Sequence, residues 1–320
     1  MKTRKRSINF VIDNSIIVMA LSFIIYQLFY VWTGVSESMG VISINEWMSP
    51  FYIKVFSLLI VAFCCILWLQ MIRMHKYMEG GQLDMLALLA IIFTLFPNFF
   101  NNIENAISLL CLTFTMNYLL QINKQHNILR WSFNSSVFLG ITVLLFPPAL
   151  FLLLFIWIMI GIIRPFELRD YVISIVGLLM PAFYLWTFSY LLNYQLTPFE
   201  IKFDLSEFYK SYKLSTILLY LALSMLFLIA VSRALSFRTK MVVHQRKQMQ
   251  SVLLFSIISL TLVLLFQTSQ QTVIFAAFPL SFFAAFFQQK MSYNWILKLL
   301  LLLLLLAYFW QSIFGNFPFL

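Results

Sequence analysis

The sequence predicts an all-α fold, a polytopic transmembrane helical bundle of about 11 spans that forms one integral membrane domain, residues 1–320. Three observations lead to this prediction. Of 320 residues, 62% are hydrophobic and only 10% are charged, whereas a soluble domain carries about 25% charged residues. Apolar runs of membrane-spanning length recur along the chain, and basic residues cluster between them. Because too few polar residues remain to cover a water-exposed surface, the predicted solvent is the bilayer.

The apolar runs define the spans, since a helix needs about 20 residues to cross roughly 30 Å of hydrocarbon. In chain order, the predicted spans are 10–33, 51–72, 83–100, 103–121, 131–147, 148–163, 171–193, 213–232, 250–267, 272–288 and 294–314. The basic segment from Met1 to Arg6 precedes the first run without a small-residue cleavage site. This pattern indicates a retained first span rather than a cleaved signal peptide.

The distribution of Lys and Arg predicts the orientation, because cytoplasmic loops hold the excess of basic residues. With the N-terminus inside, only Lys54, Lys202, Lys210 and Lys213 fall on the outer side, and the other 17 of the 21 basic residues fall on the cytoplasmic side. The sequence therefore predicts a multi-pass membrane protein with its N-terminus in the cytoplasm and its C-terminus outside.

Residues 131–163 allow two interpretations. Basic residues at both ends of this segment require an even number of crossings, and two crossings leave about 16 residues each, or roughly 24 Å of helix. Pro147-Pro148 lies where the chain would turn. The segment is therefore either two short spans or a re-entrant hairpin, and both alternatives leave the ends of the chain on the same sides.

The excess of basic residues does not indicate nucleic-acid binding, because these residues lie in short clusters between apolar runs rather than on one face. The three cysteines fall inside apolar stretches, and the three histidines are dispersed, so the sequence predicts no disulfide framework and no metal site. We predict no cofactor. The sequence contains no Walker A, GxGxxG or GxSxG motif.

Candidate site residues lie mainly on the outer side. The segment 33–50 holds Glu37 and Glu46, and the segment 193–212 holds Lys202 and Lys210, with Lys213 directly after it. Glu104 lies among asparagines between two predicted spans, where a carboxylate is costly unless it is paired or hydrated. Glu104 is therefore either hydrogen-bonded within a loop or part of the wall of a polar cavity.

On the cytoplasmic side, two basic segments are candidates for contact with lipid headgroups or with a partner protein. The first is a turn with alternating charges, 164–170, and the second is the stretch 233–247. The predicted contact residues are Arg164, Arg169, Arg238 and Lys240.

The order of features resembles an uncharacterised family of Bacteroidota multi-pass membrane proteins, a domain of unknown function. The matching segments are spread over most of the chain: 7–10, 95–100, 146–148, 164–170 with Gly177 and Pro181, and 278–281. More distantly, the layout resembles the membrane half of lipid-dependent glycosyltransferases of the GT-C type, which place a long outer loop after the first span. This second resemblance implies a polyprenyl-phosphate-linked sugar donor and an acidic residue of the first outer loop as base or metal ligand, matching Glu46 or Glu37.

Three functional hypotheses follow. The first is a GT-C-like enzyme or relative that acts on lipid-linked glycans at the outer face, with Glu46 or Glu37 as general base, Glu104 beside the substrate and Lys202, Lys210 or Lys213 on a phosphate. The second is a non-enzymatic membrane subunit of a cell-envelope assembly, with other envelope proteins as partners. The third is a transporter or flippase. All three hypotheses imply that the protein contacts membrane lipids.

Overall fold

The structure is a computed structural model that describes residues 48–74, 97–122, 128–163, 167–193 and 243–265, together with Leu228, Val231, Ser232 and Pro279. Six α-helices lie in these ranges: α1 (Pro50–Met74), α2 (Ile103–Ile122), α3 (Ile128–Leu145), α4 (Leu152–Ile163), α5 (Leu168–Leu192) and α6 (Val243–Leu265). Two 3-10 turns, Pro97–Asn101 and Pro147–Phe151, precede α2 and α4. The described part of the chain is helical and contains no strand, which confirms the all-α prediction there.

Four helices are long and apolar enough to cross a membrane: Pro50–Met71, Ile103–Gln121, Ile128–Leu145 and Leu168–Leu192. They correspond to the predicted spans 51–72, 103–121, 131–147 and 171–193 within a few residues at each end. The predicted spans 10–33 and 294–314, and almost all of 83–100, 213–232 and 272–288, lie outside the described residues.

Helix α6 extends beyond the start of the predicted span 250–267. Helix α6 starts at Val243, and its additional first residues include Gln245, Arg246 and Lys247. These residue types favour helix but are too polar for the hydrocarbon core. Hydropathy therefore locates the apolar part of this helix, Met249–Leu262, and misses the polar turns before it.

The chain reverses direction at Pro147-Pro148, as the sequence predicts. Helix α3 ends at Leu145, the 3-10 turn Pro147–Phe151 follows, and α4 continues for 12 residues, or about 18 Å. Proline is tolerated at the start of this turn, because the backbone N–H groups of the first helical residues have no hydrogen-bond partner within the helix. The N–H that proline lacks is therefore not missed there. Pro147–Ile162 is thus an apolar helical segment shorter than the four candidates.

Aromatic rings join α2 to α3. The ring of Tyr118 lies 5.4 Å from that of Trp131 and 5.6 Å from that of Phe138, and Phe114 lies 5.0 Å from Phe138 between centroids. The Thr115 hydroxyl also lies 3.3 Å from the Ser135 carbonyl oxygen. Because later residues of α2 face earlier residues of α3, the two helices are antiparallel.

Helices α3 and α5 approach each other at backbone distance. A Cβ atom added to Gly177 would lie 2.8 Å from the Phe133 carbonyl oxygen, and one added to Gly140 would meet the Leu178 carbonyl oxygen and lie 3.1 Å from Pro181 Cγ. Small residues allow such close contact, which in a membrane is a main source of helix association. Since earlier residues face earlier residues, α3 and α5 are parallel.

Helix α4 packs antiparallel against α5. The Trp157 indole N–H donates to the Ser174 hydroxyl at 2.9 Å, and Gly161 faces the Tyr171 hydroxyl. Phe155 of α4 packs on Phe255 of α6, with ring centroids 5.4 Å apart.

Burial differs sharply between the helices. In the most apolar stretch of α2, 72% of the residues are buried, against 11% in that of α5. Helix α2 therefore lies in the core, and most of α5 lies on the perimeter.

We expect Gly140→Ala to destabilise the fold by about 1–3 kcal/mol, the usual cost of overpacking a dense core. The added methyl group would collide with the backbone of α5 and outweigh the gain of about 1 kcal/mol in helix propensity. The free energy of unfolding in detergent, followed by tryptophan fluorescence, measures the effect.

Gly161→Ala is the matched control. Its added Cβ would meet only the Tyr171 hydroxyl, at 3.0 Å, and the end of that side chain can shift. We expect this variant to be at least as stable as the wild type. Equal stability of the Gly140→Ala variant would contradict the proposed packing.

Candidate functional site

The strongest concentration of buried polar side chains in the described residues lies where the first 3-10 turn passes into α2. We call Asn101, Asn102, Glu104 and Asn105 the asparagine cluster. Their exposed fractions are 5%, 1%, 1% and 5%, respectively. Four polar side chains within five residues are thus almost entirely removed from water, in a helix of membrane-spanning length.

The start of α2 explains part of this arrangement. Asn102 is the residue before the first helical residue, and its Oδ1 accepts the backbone N–H of Glu104 at 2.9 Å. This is the N-cap interaction that satisfies one of the free N–H groups at a helix start. The backbone N–H of Asn102 lies 3.4 Å from the Phe99 carbonyl oxygen, which joins the cap to the turn.

Glu104 lies in the first turn of α2. A negative charge at this position is stabilised by the positive end of the helix dipole. The predicted span 103–121 includes Glu104, and the structure places this residue inside the helix and buries it. Phe99 and Phe100, with edge-to-face rings 5.5 Å apart, are buried in the turn before it. The carboxylate therefore lies on a helix that begins directly after two buried aromatic residues.

Helix capping leaves other polar atoms of this region unexplained. Among the described residues, Asn101 Oδ1, Asn105 Nδ2 and the Ser108 hydroxyl are buried without a hydrogen-bond partner. A buried polar group without a partner costs about 1–3 kcal/mol. Such groups call for a functional or solvent-related explanation, and amide and hydroxyl groups are suited to hydrogen bonds with a polyhydroxylated ligand.

A second buried carboxylate, Asp170, was missed as a candidate by the sequence reasoning. It lies in the first turn of α5 and is 0% exposed, although its neighbours Leu168 and Arg169 are exposed. The spacing of Asp170, Ser174 and Gly177 puts them on one helical face, and all three are buried. This spacing was the available signal, but the charged turn 164–170 obscured it.

Helix α3 also buries polar side chains, on the side that meets α2 and on the side that meets α5. Ser132, Ser135, Ser136 and Thr142 are all 0% exposed. The Ser135 hydroxyl donates to the Ser132 carbonyl oxygen at 2.8 Å, and Thr142 donates to the Phe138 carbonyl oxygen at 2.9 Å. These bonds satisfy the hydroxyl groups of Ser135 and Thr142 within the helix itself, whereas the Ser132 and Ser136 hydroxyls have no hydrogen-bond partner among the described residues.

Most predicted site residues lie outside the described part of the chain. This applies to Glu37, Glu46, Lys202, Lys210, Lys213, Arg164, Arg238 and Lys240, whose assigned roles stay predictions. Of the remaining two, Glu104 is buried and Arg169 is exposed at the start of α5. Within the described ranges, no three His, Cys, Asp or Glu side chains come close enough to hold a metal ion.

Comparison with known proteins adds no relative to this picture. A scan against protein-family models finds no match, and searches of curated proteins and of solved structures find none.

We expect Asn102→Ala to lower the free energy of unfolding by about 1 kcal/mol, because the first turn of α2 loses its cap. Asn102→Ser should retain most of the stability, since serine caps helices as well as asparagine does. Chemical denaturation in detergent provides the measurement.

Asn117→Ala is the control within the same helix. Asn117 Oδ1 accepts from Gln121 Nε2 at 2.9 Å, a pair one helical turn apart that contributes about 0.2–0.5 kcal/mol. If Asn102→Ala costs no more than this control, the capping role of Asn102 is rejected.

Proposed function

We propose that this chain is a multi-pass protein of the bacterial inner membrane with 11 spans, its N-terminus in the cytoplasm and its C-terminus outside. Four helices of membrane-spanning length support this proposal. The helix directions are also those of alternating crossings, because α2 is antiparallel to α3, α4 is antiparallel to α5, and α3 is parallel to α5. In this reading, residues 131–163 form two short spans, and the 3-10 turn extends α4 to about 28 Å.

Within this orientation, the asparagine cluster lies at the outer end of the bundle. Helices α1 and α2 then run in the same direction. The Cys64 side chain of α1 lies next to the Thr113 side chain of α2, so Ser57 of α1 is level with Ala106, next to Asn105. The Ser57 hydroxyl is buried and has no hydrogen-bond partner among the described residues, and it lies at the same level of the bundle as the asparagine cluster.

We propose further that the protein acts on a lipid-linked glycan at the outer face, as a relative of the GT-C enzymes within the Bacteroidota family that its sequence resembles. The burial of Glu104 with three asparagines at one end of the bundle is the observation that carries this proposal. Carboxylate and amide groups together both accept and donate hydrogen bonds, which suits sugar hydroxyls. Their removal from water makes those bonds selective, because a ligand that lacked a hydroxyl would leave a buried group unsatisfied.

The proposed glycosyl transfer needs a base for the acceptor hydroxyl and a positive charge near the leaving phosphate. In the proposed step, an acceptor hydroxyl attacks the anomeric carbon, polyprenyl phosphate departs, and Glu46 or Glu37 takes the hydroxyl proton. Lys202, Lys210 or Lys213 would meet the negative charge that develops on the phosphate. Glu104 would bind the sugar without taking part in proton transfer.

The orientation is tested with reporter fusions to truncated chains. Because Asn193 and Leu320 lie outside in this orientation, alkaline phosphatase fused after either residue should be active. Green fluorescent protein fused there should not fluoresce. A fusion after Lys124 should give the opposite pair of signals. A fluorescent fusion at Asn193 would reverse the proposed orientation and move the asparagine cluster to the cytoplasmic end.

The glycan proposal is tested with the full chain in nanodiscs and a synthetic polyprenyl-phosphate-linked hexose as probe. We expect native mass spectrometry to detect a bound probe, and Glu104→Gln to weaken binding about tenfold or more, the value of a hydrogen bond to a charged group. Glu46→Gln or Glu37→Gln should leave binding intact and slow the release of polyprenyl phosphate by about 10²–10⁴-fold.

Glu167→Gln is the matched control, because it neutralises an exposed carboxylate at the opposite end of the proposed topology. We expect this variant to behave as the wild type does in both assays. If the wild type binds no probe, the glycan proposal fails. In that case, co-purification of a stable envelope protein from native membranes would support the subunit hypothesis.

A further inference from the structure

Helix α5 carries a continuous apolar stripe on its exposed side. Leu168, Val172, Val176, Leu179 and Phe183 recur at the spacing of one helical face, and their exposed fractions range from 52% to 80%. We call these five residues the α5 outer stripe. The opposite side of the helix, through Asp170, Ser174 and Gly177, is buried. The stripe is thus directed away from the rest of the bundle.

The two ends of the exposed face differ in chemistry. Arg169 is exposed at the start of α5, beside Leu168, whereas Trp186 and Tyr190 are exposed at 67% and 80% near the end. Arg169 and Tyr190 are separated by 21 positions, or about 31 Å of helix, which is close to the thickness of the hydrocarbon core. A basic residue at one boundary and aromatic residues at the other are typical of a face in contact with lipid.

A second arginine lies at the same end of the bundle. Arg130 is exposed in the first turn of α3, and α3 is parallel to α5. Since Gly177 contacts Phe133 and Ser136, Arg130 lies about 5–9 Å along the helix axis from that contact, and Arg169 lies about 12 Å from it. Both guanidinium groups therefore belong to the starting end of two adjacent helices.

We propose that α3 and α5 form a binding site for one anionic phospholipid. Arg130 and Arg169 bind its phosphate, and the α5 outer stripe contacts an acyl chain. Guanidinium groups bind phosphate through paired, charge-assisted hydrogen bonds. The distance along the helix axis from Arg169 to Phe183, the last residue of the stripe, is about 21 Å. This is long enough to contact an acyl chain across one leaflet.

The observations favour a lipid over a protein partner or free phosphate. A protein partner would not require the charged and aromatic boundaries to lie one hydrocarbon thickness apart. Free phosphate would use the two arginines but not the apolar stripe that begins beside Arg169. The site is independent of the asparagine cluster, and it does not rest on the proposed glycan activity.

The test uses the full chain purified in detergent and titrated with dioleoyl phosphatidylglycerol or dioleoyl phosphatidylcholine, with one-to-one adducts followed by native mass spectrometry. The wild type should prefer phosphatidylglycerol. Each Arg→Gln substitution should weaken its binding about fivefold, and the Arg130→Gln/Arg169→Gln pair about 25-fold, given the usual contribution of a basic residue to anionic-lipid binding. Binding of phosphatidylcholine should be unchanged in these variants.

Three further variants distinguish binding of the headgroup from binding of the acyl chain, and a specific site from a general effect of positive charge. The double Arg→Lys variant should keep a weaker preference for phosphatidylglycerol than the wild type, because lysine retains the charge but not the paired hydrogen bonds, and Val176→Asn should weaken the binding of both lipids. Lys54→Gln removes one positive charge from α1 and should change neither. The proposal is overturned if the double Arg→Gln variant keeps the wild-type preference, if Lys54→Gln lowers it equally, or if millimolar inorganic phosphate displaces the lipid.

Discussion

The contact between α3 and α5 determines the arrangement of the other described helices. Gly140 and Gly177 bring the two backbones so close that a single methyl group at Gly140 would collide with a carbonyl oxygen. This contact makes the two helices parallel and leaves one side of each for other partners. Helix α2 packs through its rings on one side of α3, and α4 packs on α5 through Trp157. In hydrocarbon, where apolar surface alone gives little attraction between helices, such close contact provides the association.

Polar residues inside these helices fall into two groups with different consequences. Thr113, Thr142 and Ser256 each donate to a carbonyl oxygen four residues earlier, at 2.7–2.9 Å. Their hydroxyl groups are satisfied by their own helix, so they can be buried at little cost and need no ligand. Asn, Glu and Asp side chains have more hydrogen-bonding capacity than their own helix can satisfy. Their burial in the first turns of α2 and α5 therefore marks the places where partners beyond the helix itself are needed.

The sequence was sufficient to predict what depends on hydrophobicity. The bounds of α1 and α2, and the turn at Pro147-Pro148, follow from apolar length and from the backbone restrictions of proline. The early start of α6 could not be obtained in this way, because Gln245, Arg246 and Lys247 continue the helix through their propensity and not through hydropathy. Contacts between helices could not be predicted from the sequence either. The role of Gly140 and Gly177 in close packing becomes visible only when the residues opposite them are known.

The candidate site was predictable only in part, and the reason is geometric. Glu104 was identified because a carboxylate stood among asparagines, yet its burial depends on the neighbouring helices. Asp170 was not identified, because the charged residues just before it, Glu167 and Arg169, made it look like the end of a solvated turn. Helix α2 is antiparallel to α3, and α3 is parallel to α5, so the first turns of α2 and α5 lie at opposite ends of the bundle. Each end thus holds one buried carboxylate at the positive end of a helix dipole. A chain that serves only as an inert apolar wall has no need for either carboxylate, and this is the physical reason for seeking the chemistry of this protein at the ends of its helices.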